Sequence, residues 1–324
     1  MNRWAVFIAG FAFVVGPAWA QPPAKPPSKT EPSAKPDAKA KKSAKSAMEM
    51  LAERAEIFTN LAYVENGHQR QKLDLFVPRS DDGPLPLIVW IHGGGWQGGS
   101  KDGCPMAAYV ARGYVVASIN YRLSQHAVFP AQLDDCQAAL KWLRKNSSKY
   151  KIDPDRIGVS GASAGGHLAA LVGTAGSSTK GKPDRVDVQC VVDVFGPANF
   201  LTIWEQSDPA TTVVKHNEPD SPEGKLLGGA IPEKTELAKK VSPVTYVSKA
   251  SPPFLILHGK KDNVVPWKQS EELHETLKKA GADSTLILVE NAGHDGGVIG
   301  GANSEKMIEF FEKHLKKAKG VTRR

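Results

Sequence analysis

Acyl transfer by a side-chain hydroxyl needs a nucleophile, a base to take its proton and an acid to orient that base. Ser163, Asp262 and His294 supply these types. The stretch from Ile157 to Gly166 reads I-G-V-S-G-A-S-A-G-G, and a helix-like segment, His167 to Val172, follows it. An apolar run, a small-residue turn and a helix thus enclose the pattern G-x-S-x-G, formed by Gly161, Ser163 and Gly165. Such a turn is so tight that the positions two before and two after the serine must nearly lack side chains. The hydroxyl then stands exposed above a sheet, and the following helix aims its N-terminus at developing negative charge.

Two downstream loops carry the partners. His258-Gly259-Lys260-Lys261-Asp262 follows the apolar run Phe254 to Leu257, and Glu290-Asn291-Ala292-Gly293-His294 follows Ser284 to Val289. The order serine, acid, histidine is one of the known triad orders. Asp262 could otherwise serve only as a turn cap, and His294 only as a loop histidine. His92 reads as a structural hydrogen-bonding group, His167 lies on the helix after the serine, and His258 ends a strand. A tetrahedral oxyanion needs preorganised N–H donors. Gly93 and Gly94, in the Gly93-Gly94-Gly95 run after a buried strand, can supply them because glycine permits close backbone approach. Ala164 is the third donor. A phosphate cradle would want G-x-x-x-x-G-K-[ST], which Gly94 to Lys101 lacks. No metal-ligand spacing occurs and no cofactor is implied.

Several elements must position these groups. Leu73 to Val77 alternates like an edge strand stopped by Pro78. Leu85 to Ile91 and Tyr114 to Ile119 are continuous apolar runs, the mark of strands buried on both faces. Helical spacing appears from Ala47 to about Thr59, from about Asp102 to Arg112 and from Pro130 to Lys145. Val188 to Val194 is a further strand. After residues 197–240, rich in Pro, Gly, Ser and charge, the run resumes: strand Phe254 to Leu257, helix Trp267 to Ala280, strand Ser284 to Val289, helix Ser304 to Leu315. Strands alternating with helices predict an α/β fold, a mostly parallel central sheet flanked by helices. Active residues in such sheets gather at the C-terminal ends of the strands. The expected organisation is one catalytic domain over residues 48–319, with 197–240 a small lid-like insertion.

Residues 1–20 read as a signal peptide: a positive start at Arg3, an apolar core from Trp4 to Val15 and an A-x-A site at Ala18-Trp19-Ala20. The apolar core is too short to span a bilayer, which takes roughly 20 residues. Export to the periplasm or outside is therefore expected, without stable membrane insertion after cleavage. Residues 21–47 form a Pro/Lys/Ala-rich linker with too little apolar surface to fold. The chain's formal charge is +8, but residues 1–47 hold Arg3 and seven lysines against Glu31 and Asp37, a surplus of six. The remainder has no basic face suited to nucleic acid. Three cysteines, Cys104, Cys136 and Cys190, are few for a disulfide framework, and Cys136 and Cys190 read as core thiols. The sequence carries no signal of oligomeric state.

Longer motifs then carry a resemblance. These are H-G-G-G-W-Q-G-G-S-K (His92 to Lys101), N-Y-R-L-S (Asn120 to Ser124), F-P-A-Q-L-D-D-C-Q-A-A-L-K-W-L-R (Phe129 to Arg144) and D-P-D-R-I-G-V-S-G-A-S-A-G-G-H-L-A (Asp153 to Ala169). F-G-P (Phe195 to Pro197), S-P-P-F-L-I-L-H-G (Ser251 to Gly259), D-N-V-V-P (Asp262 to Pro266) and A-G-H (Ala292 to His294) belong with them. Together they resemble the α/β-hydrolase group of feruloyl and acetyl-xylan esterases, the BD-FAE-like carboxylesterases, related to hormone-sensitive-lipase-like esterases. The resemblance implies an α/β-hydrolase fold, Ser163 as nucleophile, His294 as base, Asp262 as its orienter, and Gly93, Gly94 and Ala164 as the oxyanion hole. It implies a small ester or an acylated polysaccharide as substrate, with Trp96 and His126 beside the pocket. Gln125-His126 stands where relatives usually carry a Pro-Glu-like pair, and Asn199 where an aspartate is common. The A-S-A-G-G elbow favours the polysaccharide-esterase side. A prolyl-oligopeptidase-type peptidase shares the triad order but would carry a propeller-sized upstream region, and a non-enzymatic binding protein of this fold would usually lack the serine or histidine.

Overall fold

Apolar runs with no polar alternation become the middle of one eight-stranded sheet. A computed structural model describes residues 47–80, 83–182 and 184–316. The expected signal peptide and all but Ala47 of the expected linker lie outside the described residues, as do residues 317–319 of the expected domain. In chain order the strands are β1 (Ala55–Ala62), β2 (Lys72–Pro78), β3 (Leu85–Ile91), β4 (Val115–Ile119), β5 (Ile152–Ala162), β6 (Cys190–Val194), β7 (Phe254–Gly259) and β8 (Ser284–Val289). Their spatial order is β1-β2-β4-β3-β5-β6-β7-β8. β1, β2 and β4 pair antiparallel, and every pair from β4 to β8 is parallel.

Two layers of helix cover this sheet because successive side chains of a strand point to opposite faces. Leu87, Val89 and Ile91 of β3 join one core, while Ile88 and Trp90 join the other. The helices are α1 (Ala47–Arg54), α2 (Ala131–Lys145), α3 (Ala164–Gly176), α4 (Ile203–Gln206), α5 (Pro222–Leu227), α6 (Thr235–Val241), α7 (Lys268–Lys279) and α8 (Ala302–Leu315). Leu140 of α2, Leu168 of α3 and Leu273 of α7 pack on the first face. Phe311 of α8 and Tyr109 of the 3-10 helix Pro105–Arg112 pack on the second.

Two expectations are corrected. The helix expected to about Thr59 stops at Arg54, and Ala55–Ala62 is a strand. Ile57, Phe58 and Thr59 favour the pleated conformation, and the ladder to β2 slips between Phe58 and Leu61, where Asn60 takes a φ of 57°. Consequently β2, read as an edge, lies inside the sheet between β1 and β4. Residues 197–240 hold the short helices α4 and α5 and all but the last residue of α6, and Phe200, Ile203, Leu226 and Ile231 from this stretch enter the first core. All three cysteines are free thiols; Cys136 and Cys190 are buried.

One carboxyl is stranded in this interior. Asp193 of β6 is fully buried; its Oδ1 accepts the Gly196 N–H at 3.0 Å, while Oδ2 has no partner. Burial pushes its pKa up to about 7, partly offset by the Gly196 N–H. The folded chain therefore holds this proton more tightly than the unfolded chain, whose aspartates titrate near 3.9. That contribution is fully present below about pH 4 and is lost as pH rises through about 7. Asp193→Asn, which keeps the shape without the charge, should be more stabilising at pH 8 than at pH 5 in urea unfolding curves.

Candidate active site

At the end of β5 the chain reverses within a single residue. Ser163 has φ 58° and ψ −125°, a conformation that costs a non-glycine residue roughly 1–3 kcal/mol. Two hydrogen bonds hold it there: Ser163 N–H donates across to Val194 O of β6 at 2.9 Å, and Ser163 O accepts the His167 N–H in the first turn of α3 at 3.0 Å. The flanking glycines are obligatory on steric grounds. A Cβ on Gly161 would stand 2.2 Å from Gly165 O, and a Cβ on Gly165 would stand 2.1 Å from Ile91 O. Ala164 then opens α3, whose first N–H groups lack intrahelical partners.

The loops after β7 and β8 bring the other two residues to this turn. His294 Nε2 lies 2.8 Å from Ser163 Oγ, and His294 Nδ1 lies 2.6 Å from Asp262 Oδ2. The carboxylate can only accept when ionised, so Nδ1 carries the proton and Nε2 is left to take one from the hydroxyl. Asp262 is fixed on both oxygens. Its Oδ1 accepts the N–H groups of Val264 at 2.8 Å and Val265 at 2.9 Å. Burial opposes ionisation, yet the hydrogen bonds from His258 and His294, reinforced electrostatically when either ring is protonated, hold its pKa well below the usual carboxylate range.

His258 is the residue the spacing argument passed over. Its Nε2 lies 3.1 Å from Asp262 Oδ2 and 3.0 Å from Val265 O, while Nδ1 meets Ser270 Oγ at 2.7 Å. With Nε2–H shared between two acceptors, the Ser270 hydroxyl donates to Nδ1. The four-residue separation from Asp262, across the exit of β7, was the available signal. Phe195, also passed over, places its ring 4.4 Å from that of His294 and is only 7% exposed. It sits in the F-G-P motif at a φ of 44°.

Gly93 and Gly94 follow β3 beside the turn: a Cβ on Gly93 would lie 3.3 Å from Ser163 Cβ. The N–H groups of Gly93, Gly94 and Gly95 donate to no other group among the described residues. Trp96, by contrast, is not on a pocket wall. It is 2% exposed, donates its indole N–H to His167 Nδ1 at 3.2 Å and packs against Phe200. A large apolar ring one residue past the glycines gains more from this core than from solvent. His126 is at the surface, its ring 4.5 Å from His68 and its Nδ1 accepting the Leu123 N–H at 3.1 Å. Asn199 is tied to α7, its N–H donating to Gln269 Oε1 at 2.7 Å. Among the described residues no cluster of His, Cys, Asp and Glu is suited to a metal ion.

A mostly parallel eight-stranded sheet, a serine at a strand-to-helix apex, and an acid and a histidine after later strands define an α/β-hydrolase fold. The chain belongs to the BD-FAE family, whose profile matches residues 73–277. It is similar to Esterase LipC of Mycobacterium tuberculosis, 30% identical over 230 residues that cover 68% of this chain and 55% of that protein. Among solved structures, a truncated carbohydrate esterase from gut microbiota is 31% identical, with a TM-score of 0.73, covering 82% of this chain and 98% of that one. An acetyl ester-xyloside bifunctional hydrolase from Caldicellulosiruptor lactoaceticus is 26% identical, with a TM-score of 0.57 over 76% of this chain and 85% of that one. The chain spans about half the length of the curated relatives it matches.

If Asp262 sets the tautomer of His294, Asp262→Asn should lower kcat for an aryl acetate by roughly 10³–10⁴-fold with little change in KM. Steady-state kinetics beside a circular dichroism control checks this.

Proposed function

We propose that this chain is an exported serine carboxylesterase that hydrolyses short-chain acyl or aryl esters, with acetyl or feruloyl groups on plant polysaccharide as its substrate class. The observation that carries the reading is the unbroken hydrogen-bond chain from Ser163 Oγ through His294 to Asp262, at 2.8 and 2.6 Å. The family membership and the named esterase relatives support it, and the carbohydrate esterase neighbours favour the polysaccharide class. Export rests on the leader-like residues 1–20. No helix among the described residues is long and apolar enough to cross a membrane.

In this mechanism Ser163 Oγ attacks the ester carbonyl as His294 Nε2 takes its proton. The N–H groups of Gly93, Gly94 and Ala164 receive the negative charge that develops on the carbonyl oxygen. The imidazolium, paired with ionised Asp262, hands the proton to the departing alcohol, leaving an acyl-serine. Water, deprotonated by the same imidazole, then releases the acid. Pro222 borders the glycine loop: a Cβ on Gly95 would stand 3.4 Å from it.

The test is hydrolysis of p-nitrophenyl acetate by the purified protein beside Ser163→Ala. Turnover that falls by roughly 10⁴-fold or more in the variant is expected. Equal rates in both proteins, or none in either, would overturn the reading in favour of a peptidase or a binding protein. Acetate release from acetylated xylan, compared with ferulate release from methyl ferulate, then separates the two acyl classes.

A further inference from the structure

Arg70, in the loop between β1 and β2, reaches across the glycine loop to a histidine that the proposed chemistry does not use. Its Nη2 lies 3.1 Å from His92 Nε2, donates to Gly99 O at 2.9 Å and reaches Asn120 Oδ1 at 3.3 Å. Its Nε donates to Tyr121 O at 2.8 Å. A guanidinium has donors only, so His92 Nε2 must accept. The proton of the neutral ring therefore lies on Nδ1, which is 2.8 Å from Gly93 O and donates to it. Peptide planes are rigid, and in a trans peptide the C=O and the N–H point in opposite directions. The Gly93–Gly94 bond is trans. Holding Gly93 O on one side thus aims the Gly94 N–H to the other.

We propose that Arg70 is a positioning residue of the acyl-transfer site: by fixing the tautomer of His92 it locks the Gly93 carbonyl and thereby orients the Gly94 N–H toward the oxyanion. This assignment rests on the ester-hydrolysis reading given above. Close packing holds the His92 ring in place. Tyr121 stacks on the ring at 4.4 Å and 15°, and its hydroxyl donates to His92 O at 3.0 Å. A Cβ on Gly99 would stand 2.3 Å from Gly93 O and 2.6 Å from His92 Nδ1, directly on the bond in question. The charged groups near the ring are Arg70 and Asp102, with neutral Asn120 and Tyr121 beside them. Burial lowers the pKa of His92 to about 4, and the Arg70 charge adds to this against the opposing pull of Gly93 O, Asn120 and Asp102. The ring consequently stays neutral, with one donor and one acceptor, throughout the neutral range.

The tautomer is read directly by ¹⁵N NMR of the histidine rings in the full chain. Wild-type protein is expected to show His92 with Nδ1 protonated and Nε2 bare, and Arg70→Met is expected to lose that form. With p-nitrophenyl acetate, Arg70→Met should lower kcat at least about tenfold while KM stays within about twofold, because an oxyanion donor acts on the transition state. Arg70→Lys, which keeps a cationic donor facing Nε2, should retain more kcat than Arg70→Met. Nε2–H in the wild type, an unchanged tautomer in Arg70→Met, or an unchanged kcat in a folded Arg70→Met would each overturn the assignment. A loss confined to thermal stability, with the kcat of the folded fraction intact, would overturn it too. An absence of wild-type turnover defeats instead the ester-hydrolysis reading, while the ring spectrum still decides whether Arg70 sets the tautomer.

Discussion

The site depends on how closely the turn after β5 is pressed against the end of β3. A Cβ at position 165 would meet Ile91 O at 2.1 Å, so two backbones touch where most proteins interpose side chains. That contact gives Ser163 its strained backbone and sets the glycine loop beside it. Strain of this kind persists only where surrounding structure over-determines it. Here the sheet does so: β5 lies between β3 and β6, with β6 supplying Val194 O to the Ser163 N–H. The buried parallel strands thus serve as a stiff mount, and the loops at their C-terminal ends hold Ser163, Asp262 and His294.

Around that mount the polar groups are arranged in pairs that fix each other's protons. Asp262 receives two histidines on one oxygen and two backbone N–H groups on the other. An ionised carboxylate with its lone pairs so fully occupied has little freedom to rotate, and a buried charge without such partners would be costly. The same logic recurs at His92, where a permanent cation on one nitrogen decides what the other can do. At both places the hydrogen bond on one ring nitrogen fixes the role of the other.

Much of this was legible in the sequence because it is written in spacing. G-x-S-x-G between an apolar run and a helical segment has one good structural solution, and Asp262 and His294 each directly follow a strand. What the sequence hid was side-chain direction. Trp96 follows three glycines, and only the fold reveals that its ring turns inward onto His167 and Phe200. His258 ends a strand, and the pleat of β7 aims it at Asp262 rather than at a core. Arg70 carries no motif at all, since its partners lie 22 to 51 residues away along the chain. The strand β1 was obscured for a different reason: Ala55–Ala62 is half exposed at a sheet edge, so its apolar signal is diluted.

The stretch of residues 197–240 has a consequence for anyone wishing to retool this protein. Because Phe200, Ile203 and Leu226 are fully buried in the main core, this stretch is not a cassette that can be exchanged between relatives. Its outward residues Leu201, Trp204 and Val213, exposed by 43%, 37% and 68%, bear no such duty. Combinatorial libraries confined to those three positions would vary the rim while leaving the keystone in place.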